Sequence, residues 1–266
     1  MKVLIIGYGN MGKTYAKSFI NSRFIKVEDI FVLSRRQILL SINEVIPAKN
    51  FITQASKIIS NLDIVIIAVK PQDFSVLAEQ IVPFLNTQQL ILSVMAGVTL
   101  SSISDKLKCQ KVVRCMPNIP TQIGKGMTVF TATNEVDRKE LFIIQNLINT
   151  TGKSIYVDKE ELLNAATAIS GSGPAYVFYF MNAMIQAAEN LGFNPSEAEL
   201  LVNQTFFGSV DLQNAATLSN AEWIQKVASK GGTTEQALNI FAENETDKII
   251  ENAIFAANKR ARELGS

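Results

Sequence analysis

The 266-residue chain contains no histidine. The commonest general acid-base and metal-ligating side chain is therefore missing, and any proton transfer falls to a hydroxyl, a lysine, a carboxylate or water. No cluster of other metal-ligating residues stands in for it. Cysteine is nearly absent as well. Cys109 and Cys115 are the only two; they lie close together in a chain without an export signal, which reads as a reduced cytoplasmic protein rather than a disulfide-bonded one. No apolar run reaches the length of a bilayer, and Val3-Leu4-Ile5-Ile6 is interrupted by Gly7 too early for a signal peptide. An excess of one charge is also lacking. The formal net charge is +1 and 47% of residues are hydrophobic, which speaks against a nucleic-acid footprint and against disorder. What remains is a soluble chain long enough for one large or two medium domains.

The first half alternates short β-branched runs with helical patterns. Lys2 to Ile6 reads as a buried strand and runs into Gly7-Tyr8-Gly9-Asn10-Met11-Gly12, ahead of a helix from Met11 to Ser22. In such a motif the first glycine permits a tight turn, the second lets the backbone approach a pyrophosphate, and the third lets the helix pack on the strand. The phosphate would lie on the helix N-terminus. The next strand, Asp29 to Leu33, ends in Ser34-Arg35-Arg36, where an NAD-binding fold would be expected to carry an acidic residue. A hydroxyl and two guanidinium groups suit a ribose 2′-phosphate, so NADP is favoured over NAD; the alternative is that the arginines only open a solvated helix.

Further strands are expected at Ala48 to Ile52, Asp63 to Val69, Leu90 to Met95, Lys111 to Cys115, Gly126 to Thr131 and Ser154 to Val157, with helices at Ser56 to Leu62 and Val136 to Thr150. Together they predict a mostly parallel sheet of about eight strands, the direction of the last few being open. Lys70 follows the strand at 63–69 at the carboxyl edge of the sheet, where ligands bind in such folds, and Pro71 opens the next helix. Met116-Pro117-Asn118-Ile119-Pro120 is either a rigid loop beside the cofactor or a plain turn.

From Lys159 only helical periodicity is found, with helices expected at 160–170, 174–191, 195–215, 220–227, 234–244 and 246–264. Ser170-Gly171-Ser172-Gly173-Pro174 marks the change, its small residues allowing another chain or a ligand to approach the backbone. The helix that follows carries Val177, Phe178, Phe180, Met181, Met184, Ile185 and Ala188 on more than one stripe, which predicts burial on several sides, partly by a second subunit. Asn194 caps a helix that has Pro195 in its first turn. Ala228-Ser229-Lys230-Gly231-Gly232-Thr233-Thr234-Glu235 reads as a cup of backbone N–H groups and hydroxyls for a small carboxylate, or as an N-cap supported by Glu235 or Gln236. Lys259-Arg260-Arg262 is a solvated helix end.

Gly-Tyr-Gly-Asn-Met-Gly at 7–12, Ala-Val-Lys-Pro-Gln at 68–72, Ala-Gly-Val-Thr at 96–99, Arg-Cys-Met-Pro-Asn-Ile-Pro at 114–120, Ser-Gly-Ser-Gly-Pro-Ala-Tyr at 170–176, Gln-Thr at 204–205 and Gly-Gly-Thr-Thr at 231–234 resemble the landmarks of the pyrroline-5-carboxylate reductase family, in its order and over essentially the whole chain. The resemblance implies a Rossmann-like doubly wound α/β domain over 1–158 and an all-α dimerisation and substrate-binding domain over 159–266. It implies NAD(P)H-dependent reduction of 1-pyrroline-5-carboxylate to L-proline. It also implies a homodimer, assembled further into a ring such as a decamer, with substrate between one subunit's cofactor domain and its partner's helices. Neither nucleic acid nor membrane is an expected partner. Carried over by position, Ser229, Gly232 and Thr233 hold the substrate carboxylate and Thr234 places its hydroxyl on the ring nitrogen as the catalytic group. Cofactor contacts are expected from Gly7, Gly9, Asn10, Met11, Gly12, Ser34, Arg35, Arg36, Ala68, Val69, Lys70, Pro71, Ala96 and Asn118, with NADPH as the donor and NADH as the alternative.

The chain departs from the family's pattern at Lys230, where proline is usual, at Gln225 for a usual aspartate, at Ala55 for a common asparagine, and at Val210-Asp211. Two other readings stand beside the reductase. One is a β-hydroxyacid dehydrogenase, which would need a catalytic lysine in a small-residue helical motif that the helical half lacks. The other is an NADP-binding regulatory paralogue that has lost catalysis at the altered loop.

Overall fold

Runs of consecutive β-branched residues are stable as strands only when both faces are covered. The computed structural model, which describes residues 1–35 and 46–264, builds such a sheet. Its strands are β1 (Val3–Ile6), β2 (Ile30–Leu33), β3 (Phe51–Ile52), β4 (Ile64–Ile67), β5 (Leu90–Ser93), β6 (Val112–Met116), β7 (Gly126–Ala132) and β8 (Gly152–Tyr156). They lie in the order β3-β2-β1-β4-β5-β6-β7-β8. All neighbouring pairs are parallel except β6 with β7, which resolves the directions the sequence left open.

Side chains alternate across the sheet, and each face has its own core. Val3, Ile5, Ile30, Val32, Ile64 and Ile66 point to one face, under Tyr15 and Phe19 of α1 (Asn10–Asn21). Ile144, Leu147 and Ile148 of a later helix, Arg138–Asn149, close the same face. Leu4, Ile6, Val65, Ile67 and Ile91 point to the other, under α2 (Phe74–Ile81) and α3 (Leu100–Leu107). Each such fully buried aliphatic side chain contributes about 1.5–3 kcal/mol. The later helix is α4, and it starts with a full capping box between Asp137 and Glu140.

Some predicted elements are shorter than expected. Ala48–Asn50 is a 3-10 turn rather than strand, leaving β3 two residues long; Asn50 turns its side chain back to the carbonyls of Glu28 and Ile30 and so leaves the extended form. The segment expected as a helix at 56–62 is a 3-10 turn over Lys57–Asn61. The helix expected at 160–170 is α5 (Leu162–Ala166) continued by a π-helical turn over Thr167–Gly171. That turn brings Gly171 against the Met116 side chain, where a Cβ would lie 2.6 Å from the methyl carbon.

Two compact units are distinguished, one of Met1–Ser172 with Ala257–Ser266 and one of Gly173–Ala256. The second contains α6 (Gly173–Asn190), α7 (Pro195–Ala215), α8 (Asn220–Val227), α9 (Thr233–Glu243) and the start of α10 (Thr246–Glu263). Asn194 caps α7 in a capping box with Glu197, and Pro195 occupies its first turn, as the sequence predicts. The burial expected for α6 is not found within one chain: none of its residues is buried, and Phe178 and Tyr179 are 63% and 74% exposed. Its several apolar stripes exceed what α7, packed beside it, can cover.

Inside the first unit a buried ion pair ties sheet to helix. Arg114 on β6 is 4% exposed, and its Nη1 lies 2.7 Å from Oε1 of Glu160, which also accepts the Leu100 N–H at 2.8 Å. Removing the carboxylate leaves a guanidinium buried without a counter-charge and a helix-start N–H without an acceptor. Glu160→Ala is therefore expected to destabilise the fold by about 3 kcal/mol, and Arg114→Met by clearly less, because the apolar replacement suits the site and Glu160 reaches water. Equilibrium urea unfolding at fixed protein concentration checks this; equal losses in the two variants would contradict it.

Candidate functional site

In an open parallel sheet, ligands bind beyond the carboxyl ends of the strands where the strand order reverses. Here the chain runs from β1 outward to β2 and β3, then returns to place β4 on the other side of β1. A cleft of about 680 Å³ opens at this reversal. It brings together Gly7 and Gly9 after β1, Ser34 and Arg35 after β2, and Ala68, Val69 and Lys70 after β4. Backbone bonds hold the rim: Gly7 N–H donates to Leu33 O at 3.0 Å, Ser34 N–H to Ile52 O at 3.1 Å and Ala68 N–H to Ile6 O at 2.8 Å.

Two of the three glycines are required by crowding, each against a different neighbour. Gly7 has φ +94°, and a Cβ there would meet Ala68 O at 2.8 Å. A Cβ on Gly12 would fall 2.0 Å from Gly7 O, so only glycine lets α1 approach β1. Gly9 is the exception: a Cβ there would meet nothing within 4 Å. It is also the N-cap of α1, with no side-chain cap. The start of α1 thus has no side-chain cap among the described residues and open space beside Gly9, which is the environment a pyrophosphate fits.

The arrangement suits a dinucleotide at its other end as well. Arg35 is 70% exposed in its side chain and reaches into the cleft mouth, where its Nη2 lies 2.9 Å from Oδ2 of Asp73. Asp73 also lines the cleft, with Thr53, Ala55, Gln72 and Gln80. No sequence motif covers Asp73, which stands three residues after Lys70 and joins the rim only through the fold. Arg36 lies outside the described residues.

The other predicted cofactor residues do not line this cleft. Met11 and Gly12 are in the first turn of α1, and Pro71 starts a 3-10 turn over Pro71–Asp73. Ala96 and Asn118 follow β5 and β6. The Asn118 side chain is engaged by the fold: its Oδ1 accepts the Met127 N–H at 2.9 Å and its Nδ2 donates to Ser170 O at 3.1 Å. The loop at 116–120 leads into a 3-10 turn over Ile119–Ile123. Asn10 lines a different cleft of about 710 Å³ along the flank of α1. Several hydroxyls there are already spent on carbonyls, Ser18 on Thr150 at 2.5 Å and Thr121 on Asn118 at 2.7 Å, which leaves that larger cleft less to offer a ligand.

Ser229, Gly232, Thr233 and Thr234 stand together at the start of α9 in the helical unit. Gly232 N–H donates to Ser229 O at 3.0 Å, and Gly231 has φ +73°. This is a reverse turn whose third residue needs a left-handed conformation. Gly231 N–H is taken by Glu235 Oε2 at 2.8 Å, while Gly232, as N-cap of α9, offers no side-chain cap. The turn carries features of both readings: Glu235 supports it, as the cap reading expects, while the N-cap itself makes no side-chain bond and the hydroxyls of Thr233 and Thr234 stand at the helix start.

Both cysteines are free and buried, and burial pushes the Cys109 and Cys115 thiols above their ordinary range, so they pack as small hydrophobes. Among the described residues no group of three or more His, Cys, Asp or Glu could hold a metal, and no helix is long and apolar enough to cross a membrane.

Residues 160–264 match the family described as "Pyrroline-5-carboxylate reductase dimerisation", and residues 2–97 match "NADP oxidoreductase coenzyme F420-dependent". The chain is 31% identical to the solved pyrroline-5-carboxylate reductase of Coxiella burnetii, with a TM-score of 0.89 over 100% of this chain and 98% of that one. The Plasmodium falciparum pyrroline carboxylate reductase, solved with NADP bound, is 26% identical with a TM-score of 0.88 over 100% and 98% of the two chains. A curated relative from Staphylococcus haemolyticus, named pyrroline-5-carboxylate reductase, is 30% identical over 267 residues, 99% of this chain and 98% of its own. An eight-stranded, mostly parallel sheet, a helical dimerisation domain and this full-length similarity together make the chain a member of the pyrroline-5-carboxylate reductase family.

Proposed function

We propose that the chain reduces 1-pyrroline-5-carboxylate to L-proline, the last step of proline biosynthesis, with NADPH as preferred donor and NADH as the alternative. The observation that carries this reading is the start of α9. A turn with no side-chain cap, flanked by Ser229, Thr233 and Thr234, suits the carboxylate that the substrate presents. Ser229, Gly232 and Thr233 hold that carboxylate, and Thr234 sets its hydroxyl on the ring nitrogen.

Bound NADPH supplies a hydride to the imine carbon. Gly7, Gly9, Asn10, Met11 and Gly12 hold its pyrophosphate, Ser34, Arg35 and Arg36 its 2′-phosphate, and Ala68, Val69, Lys70, Pro71, Ala96 and Asn118 the nicotinamide side. The chain's other task is to keep the imine nitrogen protonated or hydrogen-bonded, since only then does its carbon accept a hydride readily. A positioned hydroxyl or a water can do this without histidine. Holding two reactants at near-attack distance accounts for much of the rate.

The functional division is placed at 1–158 for the cofactor domain and 159–266 for the helical dimerisation and substrate domain. The exposed apolar stripes of α6 are covered by a second copy, and dimers assemble further into a ring such as a decamer. The absence of paired cysteines suits a reducing cytoplasm.

Replacing Thr234 by Ala is expected to lower kcat about 100-fold and to change the KM for NADPH little. Steady-state kinetics with 1-pyrroline-5-carboxylate measure both constants, and an unchanged kcat removes Thr234 from the reaction. Arg35→Ala is expected to raise the KM for NADPH about tenfold and that for NADH far less, because only the former carries the 2′-phosphate. A parallel rise for both cofactors in the same assay would show that Arg35 does not meet the 2′-phosphate.

A further inference from the structure

Asp73 occupies the N-cap position of α2, where an aspartate ordinarily accepts a helix-start N–H. It does not do so here. Its backbone is already in the helical region, with φ −87° and ψ −10°, and its side chain makes no cap bond. The carboxylate instead reaches out of its own element to Arg35, with Oδ2 2.9 Å from Nη2. Both side chains line the cleft at the strand-order reversal. The end of β2 lacks the acidic residue typical of an NAD-binding fold, and this pairing brings a carboxylate to that end from the segment after β4.

We propose that Asp73 sets the cofactor preference of this cleft by competing with the 2′-phosphate of NADPH for the Arg35 guanidinium. The inference rests on the assignment of the cleft to the dinucleotide. A phosphate bound to Arg35 shares the guanidinium with a carboxylate of its own sign, which occupies Nη2 and repels it. A ribose carrying a free 2′-hydroxyl meets no such repulsion and can donate a hydrogen bond to the carboxylate. Asp73 thus weakens NADPH, leaves NADH usable and narrows the difference between them. The pair is solvent-exposed on the arginine side, so the effect is modest.

The test is the dissociation constant of each reduced cofactor, read by nicotinamide fluorescence titration of the full-length protein without substrate. Asp73→Asn, which keeps the shape and removes the charge, is expected to raise the ratio of NADPH to NADH affinity about threefold, with Asp73→Ser as a second charge-removing variant. The gain is expected to shrink when Arg35 is Ala in the same chain, because the competition has lost its object. An unchanged or lowered ratio in both Asp73 variants overturns the proposal, as does a gain of equal size with Arg35 replaced. If Arg35→Ala weakens NADPH and the Asp73 variants do nothing, the role of Asp73 alone is lost. If NADPH binding is indifferent to Arg35 and Asp73 alike, the assignment of the 2′-phosphate fails with it.

Discussion

The contact on which the cofactor half depends is the approach of α1 to the turn that leaves β1. A Cβ on Gly12 would stand 2.0 Å from the Gly7 carbonyl oxygen, so the helix can reach its place only by having no side chain there. This one steric condition sets the first turn of α1 over the strand end, directly after the glycines that line the cleft. The helix dipole then adds a partial positive charge to a place already rich in free donors. Opposite it, Ala68 and the β1 turn lie so close that Gly7 also has no room for a Cβ, and the rim is fixed from both sides.

The sequence states this much openly because each requirement falls on residues that are adjacent in the chain. A glycine turn between strand and helix, an uninterrupted Ile64–Ile67 strand or an Asn194-Pro195 helix start is a local signal, and each appears in the structure near its expected bounds. The short β3 was harder to foresee because Asn50 is drawn back to two carbonyls some twenty positions earlier in the chain, a long-range bond that periodicity does not register. The π-helical turn at Thr167–Gly171 escaped for a similar reason: its widened backbone accommodates Met116 from a different element. Asp73 belongs to the same class. Its partner Arg35 is remote in sequence, and no motif marks Asp73 itself.

The want of histidine now has a chemical sense. An imine is more basic than a carbonyl, so its nitrogen can be kept protonated by a weak donor, and a strong acid of tuned pKa is not needed. What such a reaction does need is geometry, and the proposed substrate turn at the start of α9 is held through backbone. The left-handed Gly231 folds the chain back so that Gly232 N–H meets Ser229 O, and Glu235 then fixes the Gly231 N–H. Two of the segment's own donors, the Gly231 and Gly232 N–H groups, are consumed in holding the turn. Lys230 sits at the corner without a fixed φ, so the positive-φ glycine and the Glu235 bond carry the rigidity that proline gives the family's usual loop.

The helical unit makes a different point about what one chain can do. Val177, Phe178, Tyr179, Phe180 and Met184 of α6 are all between 39% and 74% exposed, and α7 leaves Leu200, Leu201 and Phe207 open as well. A surface this apolar on successive helices is far more than the isolated side chains that soluble monomers show. Such helices are long enough to form, but their stability in water comes from burying an apolar face, and here much of that face is exposed among the described residues. The match of residues 160–264 to a dimerisation family agrees with this, because a face so apolar is suited to cover by another chain.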